Sequence, residues 1–280
     1  MAIAIVTDST SYLPDGFAAS RGVRVVPLHV SVNGRSRLDG VDFGPRELTA
    51  ALGERRRVTT SRATPQELAE VYRELLDGGA DGVLSVHLSR ALSGTWEAAR
   101  LAAAQVDPVK VRVVDSRATA MGLGFAALAA AAAGPDLDLA ERAATSAAER
   151  VRVFFCVETL EHLRRGGRIG TTAALVGTAL AVKPLLHVED GRLVPLEKVR
   201  TAGRAAARLV DLAAAAAGSG PVALAVHHLA APERAVELAA LLDERVPGAS
   251  GCLISEVGAV IGAHTGPGVL GIVVLPGGFA

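Results

Sequence analysis

Residues 2–11 read AIAIVTDSTS. A short run of alanine, isoleucine and valine passes directly into a polar loop of hydroxyl side chains, which is the pattern of a buried central strand ending in its carboxyl-end loop. The same grammar returns at GVLSVHL (82–88), VKVRVVD (109–115) and VRVFFCVE (151–158). Between these runs lie helical segments. PRELTAALGE comes first, then PQELAEVYRELLDGG with Thr64-Pro65 as cap and first turn and Gly78-Gly79 as stop, then SGTWEAARLAAAQV. Two alanine-rich helices, near 118–133 and 138–150, are split by Gly134-Pro135. Strands alternating with helices predict an α/β fold with parallel pairing.

Two hairpin signals interrupt that alternation. VRVVPLHVSV (23–32) reads as one strand region followed by Asn33-Gly34. KPLLHVEDGRLVPLEKVR (183–200) reads as two alternating strands about Asp190-Gly191. The second hairpin predicts a mixed sheet in the latter half. Two domains are therefore expected, residues 1–157 with a mainly parallel sheet and 158–280 with a mixed one. Within the second, the expected elements are a short helix in ETLEHLRRGGRI, a helix over TTAALVGTAL, and helices at 201–217 and 232–245. Strands are expected at 221–227, 251–256 and 268–275.

The chain has 280 residues, 29 basic and 29 acidic, so its net charge gives no reason to expect nucleic acid or an anionic membrane as main partner. Aromatic residues make up 3%, which argues against base-stacking platforms. Cys156 and Cys252 lie apart in apolar runs without metal-ligand spacing and read as inert thiols in a reducing, cytoplasmic setting. The opening MAIAIVTDST has no basic segment ahead of its apolar one and does not read as a signal peptide. Three uncharged stretches, 118–135, 212–232 and 257–280, are too alanine-rich or too broken by glycine and proline for membrane spans.

In open α/β sheets, ligands bind outside the carboxyl ends of strands. The loops expected there are rich in hydroxyls: Thr7 to Ser11, Thr59 to Thr64, and Ser89 to Thr95 with its Ser93-Gly94-Thr95. Hydroxyls and free backbone N–H groups suit an oxyanion. A glycine-rich turn, GAHTGPG, carries His264 and Thr265. Arg200 ends the second hairpin. Gly258 and Gly262 are not followed by Gly-Lys-Ser/Thr, so a P-loop is rejected. A serine hydrolase or acyltransferase reading would use Ser93 as nucleophile, His264 as base and Asp8 as orienting group.

The ordered motifs VTDSTSYLP (6–14), TSRATP (60–65), SGTWEAA (93–99), VVDS (113–116), LEHLRRGGRI (160–169), KPLLHVEDGRL (183–193), KVRT (198–201) and EVGAVIGAHTGPGVLGI (256–272) resemble those of the DegV family of bacterial fatty-acid-binding proteins. The resemblance runs over essentially the whole chain. It implies a two-domain α/β fold with a long-chain fatty acid between the domains, no further cofactor and no activity of its own. It also implies the role of a FakB-type subunit, which presents the acyl carboxylate to a separate ATP-dependent fatty acid kinase subunit for acyl phosphate and phospholipid synthesis.

Carried over by motif, the carboxylate-binding positions are Thr60 or Ser61, Ser93 with Gly94 and Thr95, Arg200, and His264 with Thr265. Arg168, in the exposed Arg-Gly-Gly-Arg turn, is expected to contact the kinase partner. The chain departs from the common TSQPSP pattern at Arg62, Ala63 and Thr64, and Tyr12 stands where aspartate is frequent.

Overall fold

The computed structural model describes residues 2–169 and 182–279; the helix expected over TTAALVGTAL lies outside them. The chain opens with strand β1 (Ile3–Asp8), a short helix α1 (Phe17–Ser20) and β2 (Val23–Val26). It then makes an excursion of β3 (His29–Val32), β4 (Arg35–Leu38), α2 (Pro45–Gly53) and β5 (Val58–Ser61). Helix α3 (Pro65–Asp77), β6 (Gly82–His87), α4 (Thr95–Val106) and β7 (Val111–Asp115) complete the first sheet. Its strand order is β2-β1-β6-β7, with every pair parallel.

The expected single strand at 23–32 is two strands in two sheets. Pro27 cannot donate to a ladder, and the chain changes direction there. β3 then forms a separate antiparallel sheet, β4-β3-β5, with Asn33 and Gly34 at positive φ as the hairpin turn requires. β5 was expected as loop; its Thr59-Thr60-Ser61 pairs with β3 instead.

Helices α5 (Met121–Ala132) and α6 (Leu137–Arg150) follow, then β8 (Arg152–Cys156) and α7 (Glu161–Arg165). The rest is β9 (Lys183–Glu189), β10 (Arg192–Val199), α8 (Ala202–Ala217), β11 (Val222–His228), α9 (Pro232–Arg245), β12 (Ala249–Glu256), α10 (Ala259–Thr265) and β13 (Leu270–Pro276). The second sheet is mixed, in the order β10-β9-β8-β13-β11-β12. Only β11 and β12 pair in parallel. β8 pairs with β9 and β13, so the change of sheet comes between α6 and β8, one strand ahead of residue 157.

Alternation along β8 shows how the layers stack. Val153 and Phe155 join a core shared with α5, α6 and the parallel sheet, whereas Phe154 and Cys156 face a second core under α8 and α9. Helix α5 packs against β1 and β6 on one side and β13 on the other. That explains an alanine-rich helix apolar on all faces: it is buried between two sheets. Among the described residues no helix is long and apolar enough to cross a membrane. The cysteines are unpaired, and burial pushes the thiols up, to about 11 for Cys156 and about 12 for Cys252, so neither is a ready nucleophile.

Candidate functional site

An apolar cavity opens where the carboxyl ends of the parallel sheet meet the inner face of the mixed sheet. β8 and β13 supply Val153, Phe155, Ile272 and Val273, and α10 supplies Val260 and Ile261. The space swept by the centre of a water-sized sphere is about 100 Å³, several times the 10–15 Å³ that one water needs. Most of the polar groups come from four segments: Thr60, Ser61 and Arg62 at the end of β5, Ser93 before α4, Arg168 after α7, and His264 and Thr265 on α10. The described lining contains two arginines and no carboxylate.

Local chemistry explains each placement. The glycine-rich turn expected at GAHTGPG (262–268) is helical as far as Thr265, within α10, and that helix begins on a side-chain cap. Buried Asp39 accepts from the N–H of Ala259 at 2.7 Å and from the Ser9 hydroxyl at 2.8 Å. The Tyr12 hydroxyl accepts from the N–H of Ile261 at 3.0 Å and donates to Asp39 at 3.3 Å. Burial raises both Asp39 and Tyr12 above their ordinary pKa values. Tyr12 therefore has a structural account, since it ties the loop after β1 to the helix that bears His264. Gly258 is required there, because a Cβ would lie 2.5 Å from the Tyr12 ring.

His264 sits at the centre of the polar group. Its Nε2 is 2.8 Å from Thr60 Oγ1, and its buried Nδ1 has no partner among the described residues. Burial, then the charge of Arg168, then His162 push its pKa down to about 4, so the ring is neutral near pH 7. The turn after α7 closes over the ring: a Cβ on Gly166 would lie 2.1 Å from His264 Nδ1. Reciprocally, a Cβ on Gly266 would lie 2.6 Å from the His162 ring. Two histidines and two glycines interlock, and this close approach is why the Arg-Gly-Gly-Arg turn needs its first glycine.

Arg168 is placed differently from the expectation. It is half-buried and lines the cavity, with its guanidinium donating to the carbonyls of Leu92, at 3.2 Å, and Gly166. Arg200, expected at the carboxylate, is exposed at the end of β10 and absent from the described cavity wall. Ser93 Oγ is 2.9 Å from the Thr95 hydroxyl and accepts from the Thr95 N–H at 3.3 Å. Thr95 and Gly94 stand behind Ser93 rather than in the described wall. Gly94 packs against Arg62: a Cβ there would lie 3.0 Å from its guanidinium. Ser61 is exposed at the rim, and Thr265, buried, donates to the carbonyl of Ile261 at 3.2 Å.

The nucleophile set is not assembled. Asp8 is bound to His87 at 2.9 Å, not to His264, and His264 Nε2 is engaged by Thr60 rather than Ser93. His227 and Thr119, which carried no sequence signal for the site, also line the cavity.

The geometry defines a class: an α/β protein of three sheets with an apolar cavity and a cationic, hydroxyl-bearing polar end. A family model described as "Uncharacterised protein, DegV family" matches residues 2–277. The chain belongs to the DegV family. It is 55% identical over 275 residues to the DegV domain-containing protein SCO2569 of Streptomyces coelicolor, covering 97% of this chain and 98% of that one. Two solved structures are similar throughout. One, described as fatty acid binding of a DegV family protein from Thermus thermophilus, is 36% identical with TM-score 0.92 and covers 99% of this chain and 100% of that one. The other, DegV of Bacillus subtilis, described as a fatty acid binding protein, is 32% identical with TM-score 0.88 over 98% and 99% of the two chains.

Proposed function

We propose that this protein binds a long-chain fatty acid with its acyl chain in the apolar cavity and its carboxylate among Thr60, Ser93, Arg168 and His264. The observation that carries this reading is the polarity of the wall: apolar along two strands and a helix, with arginines and hydroxyls but no carboxylate at one set of segments. A desolvated carboxylate needs several donors. Thr60 and Ser93 offer hydroxyls, Arg168 offers charge, and neutral His264, with its Nε2 against Thr60, orients that hydroxyl. Burying about 14 methylenes at about 0.8 kcal/mol each contributes roughly 11 kcal/mol before ordering costs.

The family's cytoplasmic kinase-subunit role fits the same geometry. The carboxylate end lies beside the exposed Ser61 and Arg62, where a separate ATP-dependent subunit would reach it. Arg200, exposed and outside the wall, is then the better candidate for partner contact, and Arg168 joins the carboxylate set.

Native mass spectrometry of the purified protein tests the binding. A non-covalent acid of about 14–18 carbons is expected, bound by the wild type and by Arg200→Ala and depleted in Arg168→Ala. A covalent acyl adduct on Ser93, or a chain that takes up no acid, would overturn the reading. With a cognate kinase, Arg200→Ala should slow acyl phosphate formation without loss of bound acid.

A further inference from the structure

Two arginines line the cavity, and they are held in different ways. Arg168 is half-buried, with its guanidinium committed to the carbonyls of Leu92 and Gly166. Arg62 is exposed, lines the same cavity, and makes no hydrogen bond or ion pair with any described residue. Its side chain is nevertheless seated. It lies along Gly94, where a Cβ would stand 3.0 Å from the guanidinium and 3.3 Å from Cδ. Several exposed arginines elsewhere are answered by carboxylates, among them Arg90 by Asp115, Arg117 by Asp190 and Arg208 by Glu197. No carboxylate in the described wall answers Arg62. The glycine therefore gives a charge its place at the rim, and the wall leaves that charge open.

Exposure decides what such a charge does. Water and salt screen a rim cation, so it adds little to the hold on a bound ligand, while its field still acts on an anion outside the cavity. Rim charges accordingly govern the rate of association and its salt dependence, whereas groups that meet a desolvated charge govern its release. We propose, resting on the fatty-acid reading above, that Arg62 captures the incoming carboxylate at the rim and hands it to Thr60, Ser93 and Arg168 inside. Arg62 then sets how fast the cavity fills with an anionic lipid, and the inner groups set how long the lipid stays. An uncharged lipid of equal length gains nothing from Arg62.

Stopped-flow mixing of delipidated full-length protein with cis-parinaric acid, a fluorescent long-chain acid, measures the association rate from low to high salt. At low salt Arg62→Gln should associate roughly two- to fivefold more slowly than wild type, the scale of one unit charge at a few ångströms in water. At high salt the two rates should converge, because the screening length shrinks to about 3 Å at 1 M. Arg62→Lys, which keeps the charge, should follow wild type. Arg62→Glu should be slower still, and it serves if the glutamine variant folds poorly. The methyl ester of the same acid should load equally fast in wild type and variants. Equal rates for the acid at low salt overturn the inference. So does an ester slowed as much as the acid, which would give Arg62 a packing role against Gly94. Both outcomes leave the fatty-acid reading intact, whereas an acid that does not bind wild type overturns both.

Discussion

Two histidines in this molecule sit in hydroxyl-rich surroundings, and only one belongs to the site. His87 lies in a directed chain in which the Tyr72 hydroxyl donates to Ser85 Oγ at 2.8 Å, Ser85 donates to His87 Nε2 at 2.8 Å, and His87 Nδ1–H donates to Asp8 at 2.9 Å. Asp8 accepts further from the N–H groups of Leu88 and Thr10 and from the Thr10 hydroxyl. Ser85, His87 and Asp8 have no exposed surface. The composition is that of a hydrolytic triad, yet none of the side chains of Tyr72, Ser85, His87 and Asp8 lines the cavity. His264 is the opposite case, with one nitrogen engaged by Thr60, the other unpartnered, and the ring in a cavity wall. A place in a cavity wall marks a candidate binding residue; residue type alone does not.

The sharpest way to break this contrast is at Asp8. Removing a buried carboxyl that four backbone or side-chain donors share leaves those donors unpaired, so Asp8→Ala should cost about 3–5 kcal/mol of stability. Urea unfolding checks it. A loss below about 1 kcal/mol would mean the chain is not the structural tie that its saturation implies. The mouth should respond in the other way, losing affinity with little loss of fold.

A second test uses pH. Burial first holds His227 down at about 4, against an ordinary 6.5. Between those values the unfolded chain binds more protons than the folded one, so stability is complete above pH 6.5 and falls as pH drops toward 4. His227 alone contributes on the order of 3 kcal/mol to that fall, from 1.36 kcal/mol per unit. Asp39, raised by burial, works in the opposite sense, favouring the folded state at low pH. The wild type should therefore lose more stability between pH 7 and pH 4.5 than His227→Gln does. Equal losses would place the acid sensitivity elsewhere.

How much of this was legible beforehand divides along the same line. The Asp190-Gly191 hairpin could be read because both turn residues take positive φ and the flanking strands alternate. The capped helix at Thr64-Pro65 could be read for similar local reasons, as its capping box shows. Helix α10 could not, because its cap is built from Asp39 and Tyr12, more than 200 residues away in sequence. The placements of Arg168 and Arg200 could not be read either, because nothing local distinguishes an arginine folded back onto Leu92 and Gly166 from one left in solvent. Likewise Asp8 could be assigned to His264 or His87 on paper; only the pairing of β1 with β6 decides it.

Gly166 tests whether the His264 ring must stay where it is. A methyl at this position would overlap Nδ1, so Gly166→Ala should push the ring away from Thr60 and weaken fatty acid binding by about tenfold, of the order of one lost charge-assisted hydrogen bond. Thermal stability should fall less than for Asp8→Ala, since Gly166 follows a short surface helix. Unchanged affinity would show that His264 is not held by the turn.

The smallest expected effect is at Ser93. Its hydroxyl is already paired with Thr95, which buffers the loss of any one contact. In the proposed carboxylate site Ser93→Ala removes one neutral donor while Thr60 and Arg168 remain, so affinity should drop by about 0.5–1.5 kcal/mol, between twofold and about tenfold. Thr95 keeps its place because its backbone is fixed in the first turn of α4. Isothermal titration with one saturated acid, on wild type and variant, measures it. A loss beyond a hundredfold would mean that Ser93 carries the headgroup largely alone, and the mouth would then resemble the Asp8 network more than it differs from it: one group on which the rest depend.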